Sequence, residues 1–195
     1  MIIDEIKKKM VENPVSRLAV FIRHGEKDKS DAGPVLLTEK AKLDAEEMGL
    51  KLKKLNVPIQ FFSSPELRCV QTAKIINQKL LDTPNDIVLT SFLGEPGIQI
   101  KNNDKFLILS ESSDTRKIYC QWKAGNHYDA LRNPEELCSE LKIFLKRTCT
   151  EPVISIFISQ SGTVAALGFA LGLSSYDFEK KEWVAFLEGF VIASE

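Results

Sequence analysis

The chain has 195 residues, of which 44% are hydrophobic, 27% charged and 8% aromatic. These fractions are ordinary for a globular protein and exclude a disordered, collagen-like or low-complexity chain. A chain of this size buries about 70% of the surface that its unfolded form exposes, so we expect one domain over residues 1–195. Lysine plus arginine (26) nearly balance aspartate plus glutamate (27). This balance argues against a nucleic-acid or anionic-membrane partner, because both require a basic surplus.

The cysteines are dispersed and form no Cys-x-x-Cys pair; they are Cys69, Cys120, Cys138 and Cys149. Since the N-terminus also shows no signal peptide, we expect free thiols and a cytoplasmic location. Residues 152–176 carry no charge, a length that raises the question of a membrane span. Polar residues and a glycine interrupt this run at 159–163, so a buried strand followed by a buried helix is the better interpretation.

Helices and strands alternate along the first part of the chain. Apolar periodicity predicts an amphipathic helix over the first dozen residues, and the apolar run 18–22 predicts a central strand. We expect a loop over 28–34 and then a helix capped by Thr38. The apolar stripe of that helix is Ala41, Ala45, Met48, Leu52 and Leu55. Residues 59–62 are predicted to form the second strand.

Ser64-Pro65 predicts the next helix start, with serine as the cap and proline at the first position. Its expected buried face is Leu67, Val70, Ala73, Ile76 and Leu80. Further strands are predicted at 87–92, 153–158 and 186–193, whereas residues 98–132 show no clear pattern. Asn133-Pro134 repeats the signal of a cap followed by proline and predicts a helix over 134–148, and another helix is predicted at 162–171. The alternation predicts an α/β fold, a three-layer α/β/α arrangement with a mostly parallel central sheet.

Ligands of such sheets bind beyond the carboxyl ends of the strands. Arg23 and His24 follow the first predicted strand, and Arg68 lies one turn into the helix after the second. A helix N-terminus attracts anions through its free N–H groups. Two guanidinium groups and an imidazole would form a cage for a phosphoryl dianion, and neutral imidazole can attack phosphorus.

The residues that carry this pattern are Arg23-His24-Gly25-Glu26, Leu37-Thr38, and Ser63-Ser64-Pro65-Glu66-Leu67-Arg68 with Gln71-Thr72-Ala73. Together they resemble the histidine phosphatase superfamily, which has the phosphoglycerate-mutase-like fold. The resemblance implies that His24 is transiently phosphorylated and that Arg23 and Arg68 bind the phosphoryl group. It also implies that Glu95, in the turn after the third strand, is the candidate proton donor, as in the mutase-like branch.

The sequence departs from the family after the fourth strand, where members carry a second histidine and this chain has Gln160. The other histidine, His127, lies in an unassigned, turn-like stretch and is not expected to replace it. Glutamine can donate a hydrogen bond to a phosphoryl oxygen but brings no positive charge. We therefore expect phosphate binding with slow turnover, because one donor at such a site contributes on the order of 10²–10³ in rate.

The leading interpretation is a phosphomonoesterase that works through a phosphohistidine at His24. Two alternatives stay open: a pseudophosphatase that binds a phosphorylated small molecule or phosphoprotein without turnover, and a scaffold with a vestigial pocket. No metal and no organic cofactor are expected, since the sequence shows no glycine-rich phosphate loop, dinucleotide fingerprint or metal-ligand cluster. The sequence does not specify the substrate or the oligomeric state.

Overall fold

The computed structural model describes residues 1–12, 17–28, 36–81, 84–150, 154–173, 178–179 and 183–194. Its helices are α1 (Ile2–Glu12), α2 (Glu39–Lys53), α3 (Leu67–Leu80), α4 (Asn103–Ser112), α5 (Thr115–Lys123), α6 (Pro134–Thr148) and α7 (Ser161–Ala170). Its strands are β1 (Arg17–Arg23), β2 (Ile59–Ser63), β3 (Ile87–Leu89), β4 (Ile154–Ser159) and β5 (Gly189–Ser194). Apart from Asp28, the loop expected over 28–34 lies outside the described residues, as does Val153 of the fourth predicted strand.

The five strands form one sheet in the order β3-β2-β4-β1-β5. All neighbouring pairs are parallel except β1 and β5, which are antiparallel. The prediction of an α/β fold with a mostly parallel sheet is therefore confirmed. In the register of the central strands, Arg23 lies beside Ser159 and Ser63 lies beside Ile158, so the carboxyl ends of β1, β2 and β4 meet at one edge.

Helices cover both faces of the sheet because the central strands are apolar on both sides. On one face, Phe157 stacks between Phe21 and Phe62, with ring centroids 4.6 and 4.7 Å apart, and this cluster continues into α5, α6 and α7. On the other face, Val20 and Ile22 pack with residues of α1, α2 and α3. Alternate residues of β1 thus point into two separate apolar layers.

Helix α3 differs from its prediction at its first turn. Helix α3 starts at Leu67, and its N-cap is Glu66, whose side chain makes no capping bond. Ser64 does not cap the helix; its Oγ accepts a hydrogen bond from the Glu66 N–H at 3.3 Å. Leu67 is 55% exposed, and Cys69 is buried instead. The predicted start was wrong because the serine closes a local turn before the helix.

The third strand is shorter than predicted. It ends at Leu89, and the Thr90 side chain then caps a 3₁₀ turn over Ser91–Leu93 by accepting from the Phe92 N–H. The fifth strand starts at Gly189 rather than at 186. The unassigned region contains α4 and α5. The predicted caps Thr38 and Asn133 are confirmed, the latter as a full capping box with Glu136.

The described residues of the uncharged run contain β4 followed by α7, as predicted. Among the described helices, none has the length and apolar character that a membrane span requires. No disulfide bond joins the four cysteines, all of which lie in the described part of the chain.

Candidate active site

The site lies at the sheet edge where β1, β2 and β4 end. Beyond the strands, the His24 N–H donates to the Ser159 carbonyl at 3.0 Å, and the Ser64 N–H donates to the Ile158 carbonyl at 2.9 Å. The ladder therefore continues for one residue past each strand. This continuation fixes the backbone of His24 and Ser64 beside Gln160, which directly follows β4.

His24 is buried, and its two ring nitrogens face different partners. Nδ1 lies 2.6 Å from the Gly25 carbonyl oxygen, and Nε2 accepts from the Arg68 Nε–H at 3.2 Å. A carbonyl oxygen can only accept, so Nδ1 carries the proton and Nε2 carries the lone pair. Burial lowers the pKa of His24 to about 4; the bond to Gly25 opposes this shift, and the charge of Arg68 adds to it. The ring is thus neutral near pH 7.

Arg68 joins three groups of the site. Besides the bond to His24, its Nη2 lies 2.7 Å from the Glu95 Oε1 and its Nη1 lies 3.6 Å from the Glu66 Oε2. The Arg68 side chain is 13% exposed, whereas that of Glu95 is 56% exposed. The guanidinium therefore sits between a buried base and a carboxylate at the mouth of the site.

Two side chains of helix α3 tie it to the segments that follow β1 and precede α2. The Thr72 hydroxyl donates to the Arg68 carbonyl at 2.7 Å and accepts from the Gly25 N–H at 3.1 Å. Gln71 Oε1 accepts from the Leu37 N–H at 2.9 Å. These bonds explain why the separate motif segments of the sequence occur together, since each holds another in place.

Arg23 is anchored by the segment before β5. Its guanidinium carbon lies 3.8 Å from the centroid of the Phe186 ring, and its Nη1 donates to the Val184 carbonyl at 2.7 Å. An arginine over an aromatic face gains cation–π attraction that fixes its orientation. The sequence indicates neither partner, because it predicts Phe186 as part of the last strand and a backbone carbonyl leaves no signal in it.

Gln160 is buried at the start of α7. Its Nε2 donates to the Ser64 Oγ at 3.3 Å, and its Oε1 lies 3.1 Å from the Ser159 Oγ. It is the N-cap residue of α7, but its side chain makes no capping bond. The amide therefore places a neutral donor where the N-terminus of α7 meets the site.

A cavity of about 830 Å³ opens beside these residues. Arg23, Glu95 and Gln160 line it together, and it continues to α4 and α5. His127 is not among its lining residues; it follows α5, and its Nε2 lies 2.9 Å from the Gln121 Oε1. Within the described ranges, no cluster of three or more His, Cys, Asp or Glu side chains is placed to hold a metal ion.

Residues 19–96 match the model of the histidine phosphatase superfamily, branch 1. No curated protein sequence is significantly similar to the chain. Among solved structures, a phosphoglycerate mutase from Bacillus anthracis str. Sterne is similar with a TM-score of 0.57 and 13% identity, over 91% of this chain and 88% of that one. A mycobacterial glucosyl-3-phosphoglycerate phosphatase is similar with a TM-score of 0.53 and 17% identity, over 80% and 79%.

At these identities the structural similarity concerns the fold. The matched segment begins within β1 and ends just after the 3₁₀ turn over Ser91–Leu93. It therefore contains His24, Arg68 and Glu95. Over residues 19–96 the chain is therefore similar to the histidine phosphatase superfamily, and the structural neighbours show a similar fold.

Proposed function

We propose that the chain hydrolyses phosphomonoesters through a phosphohistidine at His24. The observation that carries the proposal is the state of the His24 ring: Nδ1–H is held by the Gly25 carbonyl, and Nε2 presents its lone pair beside Arg68. A neutral imidazole with a fixed tautomer is a competent nucleophile. The ligand is a phosphorylated small molecule or a phosphoprotein.

The first step is attack by Nε2 on phosphorus, in line with the ester oxygen. An Nε2–P bond forms and the P–O bond to the leaving group breaks. The N–H groups of Arg23 and Arg68 hold the phosphoryl oxygens, because planar guanidinium forks match their geometry. For this, Arg68 exchanges its bond to Nε2 for bonds to the phosphoryl group. No metal is needed in this step.

Glu95 is the proposed proton donor. Its carboxylate is now paired with Arg68 at 2.7 Å. When the phosphoryl dianion binds the Arg68 guanidinium, this pairing is lost and the carboxyl group is released to face the leaving oxygen. Glu95 then protonates the leaving oxygen. In the second step it accepts a proton from the water that attacks phosphorus and releases phosphate from His24.

Gln160 is proposed to occupy the position of the second histidine of the family. One N–H of its amide is engaged with Ser64, so its other N–H is the one left for a phosphoryl oxygen. Arg23 and Arg68 keep the binding of phosphate, but the charge that builds on the transition state meets a neutral donor. We expect turnover to be lower by on the order of 10²–10³ than with a cationic donor.

A pseudophosphatase is the second candidate, and the neutral Gln160 side chain favours it. The two candidates are separated by the turnover of an aryl phosphate by the wild-type protein and by Gln160→His, with phosphate affinity measured for both. Measurable wild-type turnover that rises steeply in the variant at unchanged affinity supports the hydrolase. Absence of turnover in both proteins, with phosphate still bound, establishes the binding protein.

Covalent catalysis has its own test. After incubation with a phosphomonoester labelled in its phosphoryl group and quenching in alkali, label that is stable in base and lost in acid should be found on His24. The variant His127→Asn, which removes the other histidine, should retain the label. A wild-type protein that turns over substrate but never carries phosphate on His24 would rule out the proposed mechanism.

A further inference from the structure

The cavity beside Gln160 is far larger than a phosphoryl group requires. Its volume of about 830 Å³ is in the range of pockets that hold whole small molecules. It borders the proposed phosphate site, since Arg23, Glu95 and Gln160 line the same space as residues of α4 and α5, whereas His24 and Arg68 lie just outside its lining. An ester whose phosphoryl group sits at His24 therefore places its alcohol part in this space.

Part of the far wall of the cavity is apolar or aromatic. Phe106 and Leu107 of α4, Tyr119 of α5 and Trp183 line it. Leu107 lines the cavity and is 50% exposed, so half of its apolar surface remains accessible to solvent. A flat apolar group in this position would remove that surface from water, which is the main source of affinity for such a wall.

The aromatic walls are fixed before any ligand arrives. The Tyr119 hydroxyl accepts from the Gln99 Nε2 at 3.0 Å, and the Trp183 Nε1 donates to the Phe178 carbonyl at 3.1 Å. Gly162 lies against both rings: a Cβ there would meet the Tyr119 Oη at 3.3 Å and the Trp183 ring at 3.7 Å. The missing side chain keeps room for a ligand beside the two rings.

The charges of the cavity do not suit a second anionic group. Its charged lining residues are Arg23, Glu95, Asp114 and Arg116. Arg23 belongs to the proposed phosphoryl cage, and Arg116 is neutralised by Asp114, with Nε 3.3 Å from Oδ1. A second anion on the alcohol part would therefore meet Glu95, and the described lining residues offer it no cation outside the phosphoryl cage and the Asp114–Arg116 pair. Among the described lining residues there is no lysine.

We infer that the preferred substrate is a phosphomonoester of a large, flat, apolar alcohol, and not a small polyanion such as a phosphorylated sugar acid. The inference rests on the proposed function, because it assigns the leaving group to the cavity next to the phosphohistidine site. Phe106, Leu107, Tyr119 and Trp183 are its specificity-determining residues.

The test compares two esters with the same chemistry at phosphorus. 2-(2-Naphthyl)ethyl phosphate and ethyl phosphate both release a primary alcohol of similar acidity, so the ratio of their kcat/KM values reports binding of the alcohol part. We expect a ratio on the order of 10² in favour of the naphthyl ester, because hydrophobic contacts discriminate by this amount. 3-Phosphoglycerate, with its additional carboxylate, should not exceed ethyl phosphate.

Two substitutions on α4 form a matched pair. Leu107→Asp places a charge in the apolar wall and should reduce the ratio by about tenfold. Ile108→Asp makes the same change one residue along, at a side chain that is 65% exposed and does not line the cavity, and should leave the ratio unchanged. The wild-type ratio tests the inference even where a variant does not fold.

The outcomes separate the inference from the proposed function. Hydrolysis of all three esters at equal kcat/KM, or preference for 3-phosphoglycerate, overturns the inference and leaves the hydrolase standing. Absence of any turnover and of phosphate on His24 refutes the hydrolase, and the dissociation constants of the two alkyl esters then decide the inference. A naphthyl ester bound at least tenfold more tightly than ethyl phosphate supports it, and equal Kd values overturn it.

Discussion

Arg68 connects the binding of an anion to the state of the two groups proposed to react with it. Its guanidinium contacts both the Nε2 lone pair of His24 and the carboxylate of Glu95. A phosphoryl dianion competes with both for the same N–H groups. The arrival of substrate would therefore release the proposed nucleophile and the proposed proton donor together.

The pKa of His24 predicts how the stability of the protein depends on pH. Because burial lowers this pKa from about 6.5 to about 4, the unfolded chain binds a proton between these values that the folded chain does not. Stability must therefore fall as pH decreases through this window. Between pH 7 and pH 5, His24 accounts for a loss of about 2 kcal/mol in the free energy of unfolding. In urea unfolding at the two pH values, His24→Asn should not show this part of the loss.

The other histidine provides the control for this measurement. His127 has φ 61, a conformation that asparagine tolerates, so His127→Asn tests the loss of a histidine without new backbone strain. A weaker dependence of the unfolding free energy on pH is expected only in His24→Asn. If that variant keeps the full wild-type dependence on pH, the neutral buried ring at position 24 is refuted.

The positions of His24 and Arg68 could be predicted from the sequence, but the contacts that hold the site residues in place could not. A strand end followed by Arg-His-Gly, and a second strand end followed by an arginine one helical turn on, put both side chains at one sheet edge, and the structure has them 3.2 Å apart. The anchoring of Arg23 by Phe186 depends on a segment 163 residues away, and nothing local to either residue indicates the pairing.

Among the elements, α2 and α3 approach each other at Gly49. Glycine in the middle of a helix costs roughly 1 kcal/mol relative to alanine, so its presence there needs a reason. The reason is contact: a Cβ at Gly49 would lie 2.5 Å from the Ile76 carbonyl oxygen and 2.8 Å from the Lys79 Cβ. The close approach of the two helices also sets the position of α3, which carries Arg68.

Gly49→Ala should therefore destabilise the protein although it improves helix propensity. The carbonyl of Ile76 is backbone and cannot rotate away, so α3 must shift as a unit; overpacking of this kind costs about 1–3 kcal/mol. Urea unfolding monitored by circular dichroism measures the change. Leu43→Ala, on the same helix at a side chain that is 65% exposed, should stay within about 0.5 kcal/mol of wild type. Equal or greater stability of Gly49→Ala would contradict the close contact.

Elements were predictable from sequence where their apolar residues face the core. The stripe of α2 and the caps at Thr38 and Asn133 are examples, because each is set by residues within one or two turns. Helix α4 has no buried residue: its apolar side chains Phe106 and Leu107 face the cavity. The rule that apolar periodicity marks the buried face does not apply to such a helix, so it does not predict α4. Helix α5 differs, because it buries Ile118, Tyr119 and Trp122.

The candidate site is built from two parts of the molecule, the sheet edge and the helices α4 and α5. The parallel strands bring His24, Ser64 and Gln160 to one edge, whereas α4 and α5 build the far wall of the cavity. The first part is dictated by strand register and was accessible to sequence reasoning. The second depends on how two short helices pack, and its shape became visible only in three dimensions.

If the phosphoryl cage is formed as described, inorganic phosphate must stabilise the whole fold by mass action. A ligand of the native state at 100 times its Kd contributes about 2.7 kcal/mol. For a chain of this length each kcal/mol raises Tm by about 2–4 °C, so a shift of about 5–11 °C is expected in differential scanning calorimetry.

Phosphate also stabilises proteins non-specifically by exclusion from their surface. Arg68→Gln separates the two effects, because it removes a guanidinium of the cage and leaves the exclusion unchanged. A smaller shift in this variant supports the cage, and identical shifts in both proteins would show that phosphate does not bind there.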